Sequence, residues 1–264
     1  MPHRSPYWTP KQPIPARLYG IIAGSSFLLV LGLWSLLTYT GWVRPFFLPT
    51  PTKVLVSLWS MAQDRLWKDI GASCWRIGAG FLLSALVAIP LGLFMGTYKV
   101  VEAFIEPVND FIRYLPVVSF IPLCILWVGI GDELKILVIF IGTFFPMLVL
   151  VAAEVGKVPN EFLEMTYTLG ATRGQVLRTV IVPASLPGVF DTMRVCLGWA
   201  WSYVVVAEIV ASSSGLGFMV MQASRFLKTA DIFAGIVVIG VLGLGSDFLL
   251  KRAYDLLFPW SLRK

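Results

Sequence analysis

Six stretches of predominantly apolar residues, each long enough to cross a bilayer, constrain this chain more than any other feature. A membrane-crossing helix takes about 20 such residues. In hydrocarbon every backbone N–H and C=O must be satisfied within the fold, which leaves helices or closed barrels. The stretches are Leu18–Thr40, Ile70–Thr97, Pro116–Ile130 extended backward through the Phe111 region, Leu134–Val155, Ala184–Ala211 and Ile232–Leu257. The expected fold is therefore an all-α integral membrane protein with about six transmembrane helices. Pro116 and Pro122 interrupt the third stretch, and Pro90 and Pro146 lie within the second and fourth. Such prolines are tolerated where neighbouring helices or water meet the freed backbone groups. Composition agrees: 57% of residues are hydrophobic and only 14% charged, against about a quarter charged in soluble domains.

The net charge of +6 reports loop placement in such a chain, not a nucleic-acid surface, and no nucleic-acid partner is expected. Twelve of the 21 Lys and Arg fall on one side of the six spans and seven on the other, with Arg76 and Arg194 inside them. The excess side is cytoplasmic, which puts both termini and the loop between spans four and five inside the cell. Residues 1–17 form a cytoplasmic tail, and 18–264 a single transmembrane domain. The opening "MPHRSPYWTPKQPIPAR" is too rich in proline for a secretory signal. Cys74, Cys124 and Cys196 lie in apolar stretches and read as core residues. His3 is the only histidine, so no metal site is expected. The outer connections carry structure of their own. In "LPTPTKVLVSLWSMAQ", Val54, Leu55, Leu58, Trp59 and Ala62 share a helical face, either lying at the interface or packing on the spans. "SSSGLGFMVMQASRFLKTAD" reads as a Gly-Ser turn and a short, re-entrant helix.

One long polar segment stands apart, the docking loop at 156–183. Pro159 and Asn160 start a first short helix, with Glu161 in its first turn. Gly170 stops it. Thr172 with Gln175 fits a capping box for a second short helix, and Pro183 marks entry into the next span. A passive connector needs only a few residues, so this helix–turn–helix with Glu161, Glu164, Arg173 and Arg178 suits docking to a cytoplasmic partner.

The loop resembles the signature of permease subunits of bacterial ABC importers: Glu-Ala-Ala, then a glycine and a proline at fixed distances. Glu164, Gly170 and Pro183 stand at that spacing, with Met165 and Thr166 in place of the two alanines. "FFLPTPTKVL", "PVVSFIPLCILWVGIGDELKILVIF", "GWAWSYVVVAEIVASSSGLGFMV" and "FPW" resemble the branch that imports taurine, alkanesulfonates, nitrate and bicarbonate. The resemblance implies the type I permease fold in a bacterial inner (plasma) membrane, with a cytoplasmic coupling helix seated in a groove of an ATPase subunit. Glu161, Glu164, Met165, Tyr167, Thr168, Leu169, Gly170 and Pro183 are its expected coupling residues. It implies import of a small anion delivered by an external substrate-binding protein. The expected partners are a second permease subunit, identical in a homodimer, and two cytoplasmic ATP-binding subunits. The chain has no G-x-x-x-x-G-K-[ST] loop. It is thus expected to be a transport subunit and not an enzyme, binding no cofactor itself and leaving ATP and Mg to the partner subunits.

Ionisable residues inside spans are functional candidates. Arg194 lies about ten residues, roughly 15 Å, into the fifth span, and Asp247 stands at a matching depth in the sixth. Two readings are open for Arg194: a structural ion pair with Asp247, or with Asp191 one turn earlier, and contact with the anion in the pathway. Arg76, near the outer end of span two, can reach the interface by snorkelling. Glu208, near the outer end of span five, can cap or hydrogen-bond the Gly-Ser turn. Trp199 and Trp201 point to different faces of one helix. These five, Arg76, Arg194, Trp199, Trp201 and Glu208, are the expected pathway residues. Gly78, Gly80, Gly92, Gly96, Gly235, Gly240, Gly243 and Gly245 suit close helix packing. An ion-gradient-driven secondary transporter is the alternative. It needs no docking loop, and only Asp191, Glu208 and Asp247 could serve as its membrane carboxylates.

Overall fold

The computed structural model describes residues 14–261. Most of the expected tail, 1–13, lies outside the described residues, as do Arg263 and Lys264. The first span is α1 (Ala16–Tyr39), peripheral and studded with exposed Ile, Leu and Phe side chains. That surface suits lipid, in which an apolar side chain costs nothing to expose. Thr50 accepts from the Lys53 amide and Pro51 supplies the fixed φ of a first turn, so α2 (Pro51–Gln63) begins there. Its Val54 and Ser57 face inward, whereas Leu55 and Trp59 remain exposed. Its outer stripe is therefore narrower than the shared face in the sequence suggests. The second span, α3 (Leu66–Thr97), starts four residues earlier than its hydropathy indicates, because the polar Asp69 and Ser73 are buried in its first turns.

The third span departs most from expectation. It is a broken pair, α4 (Lys99–Arg113) followed by a 3-10 turn (Val117–Phe120) and α5 (Ile121–Val128), bent by 92°. Pro116 has no N–H to donate and drives Leu115 out of the helical region, so the chain turns there. One face of α4 exposes Val100, Phe104, Val108 and Phe111, while Asn109 is buried. The bend also carries Arg113 to a small cavity of about 50 Å3 beside Gly142 and Pro146, halfway along the next span. Arg113 pairs there with Asp110 at 2.9 Å.

Gly129, at φ 75°, ends α5. The fourth span, α6 (Asp132–Gly156), leads to α7 (Asn160–Thr168). The expected second loop helix is not separate. Arg173–Val176 (α8) runs through one wide π turn, Leu177–Ile181, into α9 (Val182–Ala211), giving one continuous helix. Pro183 thus sits inside a helix instead of punctuating its start. Its ring would meet the carbonyl four residues back, and the widened turn before it supplies the room. After α9 come α10 (Leu216–Arg225) and the sixth span, α11 (Thr229–Leu257).

The core is α3, α6 and α9 side by side, with α10 and α11 closing one flank. Glycines let the first two backbones approach. A Cβ on Gly80 would stand 2.8 Å from that of Ile139, one on Gly92 2.7 Å from Val151, and one on Gly96 2.6 Å from Val155. Gly235 is likewise crowded by Val220. Gly78, Gly240 and Gly245 face open space, so close packing does not explain them.

Candidate functional site

Three polar regions interrupt this apolar body. The first is the loop. In α7, Leu163 turns inward to a small cluster with Val155, Val176 and Ile181. Phe162, Met165, Tyr167 and Leu169 stay exposed, as do Glu161, Glu164, Thr168 and Gly170. Among the described residues Glu161, Glu164, Arg173 and Arg178 form no ion pair with one another, so all four charges are available to a partner. Gly170 adopts φ 82°, the left-handed conformation that turns the chain back. Thr172 and Gln175 then close the capping box: the Thr172 amide donates to Oε1 of Gln175 at 2.7 Å and the Gln175 amide to Oγ1 of Thr172 at 3.4 Å. An apolar, charged helix is thereby held outward by a stiff turn on the end of a span. Pro183, exposed, stands beyond the π turn and away from α7.

The second region is the charge cluster between α9 and α11. Arg194 donates from Nε and Nη2 to the two carboxylate oxygens of Asp247, at 2.9 and 3.0 Å, and from Nη1 to Asp191 at 3.1 Å. The guanidinium is bracketed by two carboxylates, and the three groups together carry one net negative charge. Trp201 packs nearby, its indole N–H donating to Ser246 Oγ at 3.0 Å. Trp199, on the other face of α9, is partly exposed.

The third region, at the ends of α3, α6 and α9 away from the 156–183 loop, is the most extensive. Arg76 is 3% exposed and turns inward, not toward the interface. Its Nε donates to Asp132 at 2.8 Å, Nη1 to Glu208 at 2.7 Å and to the Ser214 carbonyl at 2.8 Å, and Nη2 to Ser214 Oγ at 2.9 Å. Glu208, fully buried, also accepts from Ser73 Oγ at 2.8 Å and from the Gly217 amide at 2.8 Å. Asp69 accepts from Arg65 Nε at 2.8 Å and from the Gly215 amide at 2.7 Å, and Ser73 accepts from the Leu216 amide at 2.9 Å. The free amides opening α10 are thus met by side chains from two spans. Gly215 has φ 109°, and a Cβ there would collide with the Glu208 carboxylate.

Sequence reasoning singled out Arg76 and Glu208 as separate residues. It missed that they meet, and it missed Asp69, Ser73, Asp132 and Lys135. The spacing Asp69, Ser73, Arg76 was a usable signal, since steps of four and three place all three on one face of a helix.

Residues 88–262 match the family model described as "Binding-protein-dependent transport system inner membrane component". The taurine transport system permease protein of Escherichia coli (strain K12) is 34% identical over 238 residues, covering 88% of this chain and 86% of that one. The bicarbonate transport system permease protein of Synechococcus elongatus is 30% identical over 198 residues, covering 75% and 69%. In fold, the chain resembles a solved structure described as "Inward facing conformations of the MetNI methionine ABC transporter", with a TM-score of 0.65 at 19% identity, covering 75% of this chain and 98% of that one.

Proposed function

Because the chain belongs to the family of binding-protein-dependent transport system inner membrane components, we propose that it forms the translocation pathway of an importer for a small sulfonate such as taurine. It is a transport permease and not an enzyme; ATP hydrolysis in ABC importers belongs to separate ATPase subunits. The observation that carries the coupling role is the outward α7, whose exposed Phe162, Met165, Tyr167 and Leu169 are fixed by Gly170 and the Thr172 capping box. In this reading α7 seats in an ATPase subunit and its displacement is passed directly to α9. Two copies of the chain enclose the pathway, two ATPase subunits hold ATP and Mg, and an external binding protein delivers the anion. Both termini and the 156–183 loop face the cytoplasm. Arg194, bracketed by Asp247 and Asp191, serves as a structural pair between the last two spans.

The test is uptake into proteoliposomes holding the chain with its ATPase and binding protein. The expected result is ATP-dependent accumulation of labelled taurine. Accumulation of bicarbonate but not taurine would move the substrate to that anion. Uptake driven by an ion gradient without ATP would replace the importer by a secondary transporter.

A further inference from the structure

The sides of α4 face three different surroundings. Val101, Ile105 and the buried Asn109 turn toward α3 and α6. Val100, Phe104, Val108 and Phe111 form an exposed apolar stripe, which suits lipid. A second exposed stripe is charged: Glu106 and Arg113 are exposed and Asp110 is half-buried. Glu106 stands two residues from Phe104, and Arg113 two from Phe111, about 200° around the helix at 3.6 residues per turn. Asp110 pairs with Arg113 at 2.9 Å. Glu106 has neither an ion pair nor a hydrogen bond among the described residues.

This charged stripe runs deep into the span region. α4 follows directly on α3, whose Gly96 meets Val155 near the loop end of α6. Its 15 residues climb about 22 Å, which matches the roughly 21 Å from Gly156 back to Gly142 along α6. The cavity shared by Arg113, Gly142 and Pro146 fixes that level. The chain then breaks, and Tyr114, Leu115, Pro116, Val118 and Ser119 are all exposed at the 92° bend. Irregular backbone at membrane depth is tolerated only where protein buries it or where it lines a water-filled cavity. Charged side chains within spans likewise face the bundle interior or water. The apolar stripe accounts for the lipid side of α4, so the charged stripe and the bend face away from lipid. A dry interface would have to supply a partner for Glu106, and water needs none.

We propose that Glu106, Asp110 and Arg113, with the bend at 114–119, line the water-filled path of the assembled permease from its loop end to mid-depth. The proposal rests on the reading of this chain as a permease that encloses such a path with a second copy. Two carboxylates against one guanidinium make the stripe a wetted wall and not a seat for an anion.

The test is labelling of the assembled complex in lipid nanodiscs with a trimethylammonium methanethiosulfonate. This reagent attacks thiolates in water, and its fixed charge keeps it out of hydrocarbon. Reaction is read residue by residue from peptide masses, which separates the introduced thiols from Cys74, Cys124 and Cys196. Glu106→Cys and Ser119→Cys should react roughly 10-fold or more faster than Phe104→Cys and Val108→Cys. Labelled Glu106→Cys should also lose most of its taurine uptake in proteoliposomes. Equal rates on the two stripes overturn the proposal. So does a disulfide between two Glu106→Cys chains with no reaction toward the charged reagent, which would assign the stripe to a dry interface. Fast labelling that leaves uptake intact places the water outside the path and overturns it as well. A wild type that takes up neither taurine nor bicarbonate refutes the transport reading, while the labelling still decides whether the stripe is wet. Should Glu106→Cys fail to assemble, Ser119→Cys carries the same comparison.

Discussion

Glu208→Gln tests how far the Arg76–Glu208 network holds the fold together. The carboxylate is fully buried and accepts from Arg76, Ser73 and the Gly217 amide, all within 2.8 Å. Glutamine keeps the volume but offers one acceptor oxygen where two stood. Its amide group then faces a donor, either the guanidinium or the Gly217 N–H. Breaking a buried pair by removing one partner costs about 3–5 kcal/mol. Asp132 remains on Arg76 at 2.7 Å, so the low end, about 3 kcal/mol, is expected. At roughly 2–4 °C per kcal/mol for a chain of this size, Tm should fall by roughly 6–12 °C. The assay is thermal unfolding of the purified complex in detergent, with Glu164→Gln as the control. Glu164 is exposed and forms no ion pair among the described residues, so its substitution should shift stability by no more than about 0.5 kcal/mol. A Glu208→Gln protein melting within about 2 °C of the wild type would refute the reasoning, because a shift that small is under 1 kcal/mol.

Gly170→Asp should leave the permease in the membrane yet uncouple ATPase activity from uptake. A Cβ there meets nothing within 4 Å, so the cost is confined to the left-handed backbone, about 1–2 kcal/mol, and to a charge placed at the docking turn; normal uptake would count against docking by α7. Arg194→Met should cost assembly, and adding Asp247→Leu should recover much of it, because removing both members of a pair is near neutral where removing one is not; full uptake in the double variant would eliminate any contact of Arg194 with the anion. Single cysteines introduced at Gln175 and Ser224 should label from opposite sides of the membrane, and same-side labelling would overturn the orientation.

Much of the fold is legible in sequence because lipid imposes one rule on every span. Five of the expected spans share at least one end with their helix to within about three residues, as α6 and α11 illustrate. The first loop helix is equally readable, since Pro159 and Gly170 are local signals of its two ends. What fails is what depends on partners distant in sequence. Asp69 and Ser73 lower the hydropathy at the start of α3, yet they are buried because α10 opens beside them. Glu102, Glu106 and Asp110 hide α4 from a hydropathy reading, although its exposed face repeats Val100, Phe104, Val108 and Phe111. Lys135 looks like one more outer-loop charge until α3 and the 212–214 turn close around it.

The two ends of the core differ in a way that bears on how movement could pass through it. At the end away from the 156–183 loop, side chains from α3, α6 and α9 and the start of α10 share one hydrogen-bonded network, so relative sliding there would strand buried charges. Along the middle, Gly80, Gly92 and Gly96 bring α3 and α6 to a separation that admits no Cβ. These contacts tie α3 and α6 together. At the loop end, the helix that becomes α9 carries the π turn at Leu177–Ile181 and then Pro183, the one π turn among the described residues. A wide turn followed by a proline interrupts the regular helical hydrogen bonding, and bends concentrate at such places. Displacement of α7 by an ATPase subunit would therefore meet its softest joint at residues 177–183, immediately beyond the capping box, and a fastened body beyond it. Under the proposed docking, a force applied at the loop would bend the helix at this joint before it disturbed the hydrogen-bonded far end.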